Sequence, residues 1–375
     1  MNLSMETVFD LLNWALEKLK QKIMGISHDA AREIVDEQYY TPPTSPRRRR
    51  RRRKELHLHE HHHPRLLFRE DMYPRQGVLY SISESRSYKT DLSAFVKDKY
   101  LMETNGGGGG WLLVHDLKNT KHVFLLNVYS LHKVQLPKFD LLIDFACLSL
   151  SSPSSTSTPG AGFVAVYNID SSTVGICNVG DNSRFVEGRL ADPIASLVSI
   201  GGNLYGIMAC SILNLVRVVV TKGNARLEPV GEIPRPLSLM CGRNGIKGYQ
   251  GFLAAESCGR RGGVIVVVKV SRGHVDRPRG PPRPVECFRI FTFDFCTSEW
   301  AELDTLGGRT LLLGCHFSLH ICRDVPNLRR NCIYFVERGD KNLYVFDTED
   351  KLITTHLPYS GDDIQTNLLC PTWLF

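Results

Sequence analysis

Four candidate metal ligands lie within eight residues of the sequence, at Cys315, His316, His320 and Cys322. Thiolate and imidazole groups are the usual ligands of tetrahedral zinc sites. If this segment is a β-strand, its side chains alternate between two faces, so Cys315 points away from the other three. The four groups then converge only around a bulge, and the pattern favours a buried strand over a zinc site.

A histidine-rich stretch supplies a second group of candidate ligands, with His57, His59, His61, His62 and His63. A metal site needs a scaffold that fixes its ligands, and no predicted element encloses this stretch. We therefore predict no bound metal and no cofactor.

Five consecutive glycines at residues 106–110 raise the question of a phosphate-binding loop. Such a loop requires Gly-Lys-Ser/Thr at the start of a helix, whereas a strand-like run begins here at Trp111. A flexible loop is the better interpretation. The sequence also lacks the Gly-x-Ser-x-Gly nucleophile elbow, so we predict that the protein is not an enzyme.

The formal charge of +7 comes mainly from one basic tract, and the rest of the chain is close to neutral. This arginine tract consists of Arg47, Arg48, Arg49, Arg50, Arg51, Arg52, Arg53 and Lys54. Such a run is typical of a nuclear localisation signal, a nucleic-acid contact or a solvated linker. Because like charges repel and residues 40–63 hold little that can be buried, we predict a disordered linker there.

The segment before the linker, residues 1–39, contains one predicted amphipathic helix over residues 5–24. Ser4 is a suitable N-cap and Gly25 a suitable stop. Apolar residues recur at helical spacing, at Val8, Leu11, Leu12, Ala15, Leu16, Leu19 and Ile23. The apolar stripe is expected to pack on the body of the chain; a partner protein or a membrane surface are the alternatives.

Cysteine usage and hydropathy indicate the compartment. The 11 cysteines are scattered without a Cys-x-x-Cys pair, which is typical of reduced thiols in an intracellular protein. The longest apolar runs are far shorter than the roughly 20 residues of a membrane span. No cleavable targeting signal is legible, and we predict a location in the nucleus or cytoplasm.

From residue 64 onwards the sequence is dominated by short strand patterns separated by turn residues. We predict hairpins in which residues 163–167 pair with 174–179, 195–200 with 203–207, 252–255 with 264–268, 288–295 with a return at Trp300, and 331–336 with 343–347. Residues 92–100 read as a helical turn or a loop. Residues 151–159 and 277–284 interrupt the strands as polar and proline-rich loops, the second alternatively a proline-rich ligand.

Two hairpins resemble each other across the chain. Residues 122–137 and 342–358 both contain a lysine, an apolar run, Asn127 or Asp347, a turn and a final Leu-Pro. Repeated units indicate arrays. Several runs are apolar at every position, so both faces of their sheets must be covered, as in a β-propeller. At about 40 to 50 residues per blade, residues 64–375 predict an all-β propeller of roughly six or seven blades, with a two-sheet sandwich as the alternative.

The order of these motifs resembles the plant F-box-associated, KIB-type β-propeller family. The matching pieces are residues 64–67, 78–82, 110–113, 125–127, 136–137, 203–205, 288–295, 300–302, 306–314, 331–335 and 371–374. The resemblance implies a propeller that binds protein targets, usually behind an F-box that contacts an SCF ubiquitin-ligase adaptor. The early Leu-Pro and later Trp-Arg of an F-box are not legible in residues 1–50, so the link to that adaptor stays open.

The expected function is therefore a non-catalytic protein-interaction module with an unidentified protein partner. Two alternatives remain. One is a nuclear or nucleic-acid-associated regulator that acts through the arginine tract, and the other is an enzyme with a site at the propeller mouth.

Overall fold

The computed structural model describes residues 64–69, 77–90, 99–105, 110–116, 122–128, 130–150, 162–180, 184–208, 214–233, 247–256, 263–272, 285–314, 318–337, 342–356 and 369–374. Within these residues every regular element is a β-strand, which confirms the all-β prediction. The predicted helix of residues 5–24 and the linker of residues 40–63 lie outside the described residues.

The strands are short and follow one another through the described chain. They are β1 (Arg65–Arg69), β2 (Gly77–Ser81), β3 (Arg86–Thr90), β4 (Lys99–Asn105), β5 (Trp111–Asp116), β6 (Val123–Asn127), β7 (Lys133–Gln135), β8 (Phe145–Leu150), β9 (Gly162–Asn168), β10 (Thr173–Asn178), β11 (Val186–Arg189), β12 (Ile194–Ile200), β13 (Asn203–Met208), β14 (Asn214–Thr221), β15 (Asn224–Glu232), β16 (Lys247–Glu256), β17 (Gly263–Arg272), β18 (Val285–Asp294), β19 (Glu299–Glu302), β20 (Thr310–Leu313), β21 (Leu319–Cys322), β22 (Cys332–Val336), β23 (Leu343–Asp347), β24 (Ile353–His356) and β25 (Leu369–Leu374).

Most strands pair with their neighbours in sequence as antiparallel meanders. The sheets have the strand orders β25-β1-β2-β3, β11-β10-β9-β8-β4-β5-β6-β7, β12-β13-β14-β15, β16-β17-β18-β19 and β21-β20-β22-β23-β24. In the second sheet, two four-stranded meanders meet where β4 and β8 run parallel. In the first sheet, β25 pairs with β1, so the last described strand completes the sheet begun by the first.

The strands with continuous apolar runs are buried on both of their faces, as the sequence predicts. All five residues of β6 and of β22 are buried. One face of the fifth sheet packs against Leu66 and Trp373 of the first sheet, and its other face packs against Phe252 and Phe288 of the fourth. This face-to-face stacking of meanders is the arrangement of a β-propeller. The number of blades stays a prediction.

Five hairpins share one turn geometry. Their closing pairs, each enclosing four residues, are Ser81 with Arg86, Asn127 with His132, Asn168 with Thr173, Asp294 with Glu299, and Asp347 with Leu352. The fourth enclosed residue always has a positive φ, between 48° and 57°, at Ser85, Leu131, Ser172, Ser298 and Lys351. In four of the turns the Asn or Asp side chain accepts a backbone N–H from inside the turn. The resemblance between residues 122–137 and 342–358 therefore includes a shared turn geometry after Asn127 and Asp347.

One element differs from the expectation. Residues 92–100 were expected to form a helical turn or a loop, but Lys99 and Tyr100 begin strand β4. The strand ends in Glu103, Thr104 and Asn105. Polar residues at this position in a sequence suggest that the end of the strand is exposed to solvent. All three are buried, because β4 lies inside the second sheet.

Candidate functional site

The candidate site lies where the sheets meet at their inner strands. Strands β25, β4, β8, β12, β16 and β21 each contact the next one in this order. In a propeller such strands surround the central axis, where a ligand or a catalytic residue is commonly found. Polar side chains on these strands are therefore the first candidates for function.

Asn105 joins three of these inner strands at the end of β4. Its Nδ2 atom donates to the carbonyl oxygen of Leu197 on β12 and to that of Leu253 on β16, both at 2.7 Å. The hydroxyl of Ser196 also accepts the backbone N–H of Leu253, at 3.3 Å. Because Asn105 is only 3% exposed, these bonds cross the axis away from solvent.

Glu103 joins β4 to the adjacent strand β25 and to Ser318, and it is 1% exposed. One carboxylate oxygen accepts the backbone N–H of Trp373 on β25, and the other accepts the hydroxyl of Ser318. The indole N–H of Trp373 donates to the carbonyl oxygen of Leu313 at 2.9 Å. At Gly314 a side chain of any size would overlap the Glu103 carboxylate, so glycine is required there.

The hydrogen bonds of this axial cluster indicate a structural role and not a catalytic one. The cluster is defined by Glu103, Asn105, Ser196, Ser318 and Trp373. A general acid or base must reach a substrate proton, but both oxygens of the carboxylate bond to protein donors. The Oδ1 atom of Asn105 is buried and accepts no hydrogen bond from the residues that the structure describes. Sequence reasoning missed the cluster because its members come from strands that are distant in the chain.

A second buried charge lies at the end of β16. The carboxylate of Glu256 pairs with the guanidinium of Arg309, and Arg323 approaches it at 3.4 Å. Glu256 and Arg309 are largely buried, whereas the Arg323 side chain is more than half exposed. The arrangement links the fourth sheet to the fifth, because Arg309 precedes β20 and Arg323 follows β21.

The segment with four candidate zinc ligands, for which the sequence favours a strand, is partly described, and the strand is confirmed for Leu319–Cys322. The Nε2 atom of His320 is buried, and desolvation lowers the pKa of this histidine to about 3. Burial likewise raises the pKa of the Cys322 thiol to about 12. Both environments favour neutral side chains. Cys315 and His316 lie outside the described residues, and in the described part no three His, Cys, Asp or Glu residues converge as metal ligands.

Among the described cysteines, Cys147, Cys177, Cys322 and Cys332 are buried, Cys287 is partly buried and Cys296 is exposed, and no two of these six form a disulfide bond. Desolvation raises the pKa of Cys147 to about 12 and that of Cys332 to about 11. The thiolate is the reactive form of cysteine. Neither thiol therefore has the character of a nucleophile at neutral pH.

Several sequence features fall outside the described residues. They are the arginine tract from Arg47 to Lys54, the histidines from His57 to His63, the first four glycines of the run at residues 106–109, and the loops of residues 151–159 and 277–284. His59, Glu60 and His63 have the spacing of the His-Glu-x-x-His motif, which binds zinc when it lies on a helix. That spacing also belongs to the undescribed part. Across the described ranges, no helix has the length and apolar character of a membrane span.

Comparisons with known proteins agree with the geometry. Residues 79–347 match the family model described as KIB1-4 beta-propeller, which confirms the propeller prediction. No curated protein matches the sequence.

The chain is also similar to solved structures. The β-propeller domain of Myceliophteria thermophila Cps50 (Swd1) is 10% identical, with a TM-score of 0.33 over 85% of this chain and 98% of that one. A chain of a nidogen/laminin complex is 10% identical, with a TM-score of 0.39 over 83% and 98%. BBS1N in complex with ARL6DN is 10% identical, with a TM-score of 0.34 over 78% and 74%. At these scores the three similarities carry no functional argument.

Proposed function

Because the chain belongs to the KIB1-4 β-propeller family, we propose that it is a non-catalytic module that binds a protein partner. The observation that carries this proposal is the axial cluster. Asn105 donates across the axis to backbone carbonyl groups of β12 and β16, and Glu103 accepts a backbone N–H of the adjacent strand β25. Polar groups used in this way serve the scaffold, and recognition then falls to the loops and outer surfaces.

The finer form of the proposal places the protein in ubiquitin-dependent regulation, as the propeller that selects a target. The resemblance to F-box-associated propellers supports it. The test is purification of the tagged full chain from a plant extract after crosslinking, followed by mass spectrometry. We expect a specific protein partner together with an SCF adaptor. Recovery of the partner without any adaptor would reject the ligase version, and recovery of neither would reject the interaction function.

A second candidate function rests on the eight consecutive basic residues of the arginine tract. In this proposal Arg47–Lys54 contact nucleic acid or direct nuclear import. Binding to a DNA or RNA duplex should weaken steeply with salt, because each neutralised phosphate releases counterions. Replacing the arginines of the tract with glutamine should abolish that binding. An affinity that is unchanged by the replacement would reject this function.

A further inference from the structure

An exposed apolar side chain projects from the segment between β7 and β8. Within residues 136–144, positions 138–143 alternate between outward and inward, with Phe139 and Ile143 buried and Asp140 and Leu142 exposed. The inward side chains anchor the segment in the core between the meanders. Leu142 occupies an outward position where a polar residue is expected, and it is 57% exposed.

A second exposed apolar side chain lies on the β9–β10 hairpin. Ile169 is the first residue enclosed by the shared four-residue turn, and it is 39% exposed. The equivalent residues of the other four turns pack inward: Ile82 and Thr348 are buried, and Val128 and Phe295 contact core clusters. Ile169 is therefore the exception among five turns of the same geometry.

Hydrogen bonds join the two chain segments that carry these side chains. The Nδ2 atom of Asn168 donates to the carbonyl oxygen of Leu142 at 2.9 Å. The backbone N–H of Ile169 donates to Oδ2 of Asp144 at 2.7 Å, and the N–H of Asp144 donates to the carbonyl oxygen of Tyr167 at 2.9 Å. The Leu142–Ile169 surface is thus built on a fixed backbone, which reduces the entropy lost on binding.

Acidic side chains lie on the segments that carry this apolar pair and on the neighbouring strand β11. Asp140 and Asp170 are exposed beside Leu142 and Ile169, and Glu187 is exposed near Asp140. Desolvation and the nearby charge of Asp140 both raise the pKa of Glu187, so these two carboxylates are close enough to interact electrostatically. Across residues 136–144, 168–173 and 184–190 the basic side chains are Lys138, Arg184 and Arg189, and with Asp144 the four acidic residues outnumber these three.

We infer that the Leu142–Ile169 surface is a docking site for a protein segment that presents a large aliphatic side chain between lysine or arginine side chains. The inference rests on the proposed interaction function and assigns that function to the Leu142–Ile169 surface. The apolar pair would supply the desolvated centre of the contact, and the carboxylates would steer the basic segment and form the polar rim.

The test uses the purified full chain and a random peptide library displayed on phage. We expect selected peptides to combine Leu, Ile or Phe with Lys or Arg. Their affinity, measured by fluorescence polarisation, should fall about tenfold or more in the double variant Leu142→Ser with Ile169→Ser. The matched control is Leu352→Ser, because Leu352 is 62% exposed on another turn; its affinity should stay within about twofold.

Folding and charge controls sharpen this test. Both target side chains are exposed, so the double variant should lose about 0.5 kcal/mol or less per site in urea unfolding. Asp140→Asn with Asp170→Asn should slow peptide association at low salt and have less effect at high salt.

Three outcomes would overturn the inference. Selected peptides that are acidic, or that bind the double variant as tightly as the parent, would reject this surface, and the interaction function would stand if extract purification still recovers a partner. A homodimer that dissociates in the double variant would assign the surface to a second copy of the chain. Failure of both peptide selection and extract purification would reject the surface and the proposed function together.

Discussion

The carboxylate of Glu103 accepts the backbone N–H of Trp373, a residue 270 positions further along the chain. The same carboxylate accepts the hydroxyl of Ser318. One buried side chain thereby ties β4 to the strand that completes the first sheet and to the segment between β20 and β21. The free energy of unfolding should therefore depend on this carboxylate, because it helps to hold β25 in the sheet that β25 completes.

Glu103→Gln tests that dependence. Glutamine keeps the size of the side chain but removes its charge and replaces one acceptor with a donor, so the bond to the Ser318 hydroxyl must reverse its direction and both bonds lose their charge assistance. We expect a loss of about 1.5–3 kcal/mol in the free energy of unfolding, because bonds to charged groups are strong and their donors stay buried. Urea unfolding followed by tryptophan fluorescence measures it. The control is Glu302→Gln, in the partly exposed pair with Arg289, which should cost about 1 kcal/mol or less. Equal effects would contradict the closure role.

Gly188→Ala tests the close approach of two outer strands. A Cβ atom on Gly188 would overlap the backbone of Asn224, and backbone cannot move aside as a flexible side chain can. We expect a loss of about 1–3 kcal/mol. Gly206→Ala is the matched control, since its nearest neighbours would lie at 3.4 Å, an ordinary contact distance. Thermal unfolding that ranks the two variants in the opposite order would show that the approach is not tight.

Leu131→Gly tests the shared turn. Leu131 has a φ of 56°, which costs an L-amino acid about 1–2 kcal/mol, and its side chain is exposed. Glycine removes this cost but gives up roughly 0.4–1 kcal/mol through the entropy of the unfolded chain. We expect a net gain of about 0.5–1 kcal/mol. Ser130 in the same turn does not have a positive φ, so Ser130→Gly should lower the stability of the protein. A loss at both positions would contradict the strain argument.

Stability should depend on pH through His320. Desolvation lowers the pKa of its ring from 6.5 to about 3, so below pH 6.5 the unfolded chain binds a proton that the folded protein excludes. The stabilisation is complete above pH 6.5 and decreases as the pH falls towards 3, by up to about 1.4 kcal/mol per pH unit. His320→Leu should flatten this dependence between pH 6.5 and 4.5, a range above the lowered pKa values of Asp294 and Asp347. Parallel profiles for the two proteins would show that another group is responsible.

Local patterns in the sequence predict much of the described fold. The pairing of residues 163–167 with 174–179 and of 252–255 with 264–268 is confirmed, because apolar runs and turn residues are read within one hairpin. Strand β4 was missed because Glu103 and Asn105 are polar residues directed to the axis. Their partners Leu253 and Trp373 lie far away in the chain, and one sequence does not reveal such distant bonds.

The candidate surface was not predicted for a related reason. Leu142 reads in sequence as one more residue of an apolar segment, and Ile169 reads as a strand end. Their exposure follows from the alternation of residues 138–143 and from the position of one turn, which depend on how neighbouring meanders pack.

The pairing of β25 with β1 sets the order of events during synthesis. The ribosome must release Leu369–Leu374 before the edge of β1 acquires its partner, so the nascent chain carries an unsatisfied row of backbone donors and acceptors through most of its translation. Contacts of such long sequence separation make folding slow. Nascent chains of this protein should therefore depend on chaperones that shield strand edges until the final strand arrives.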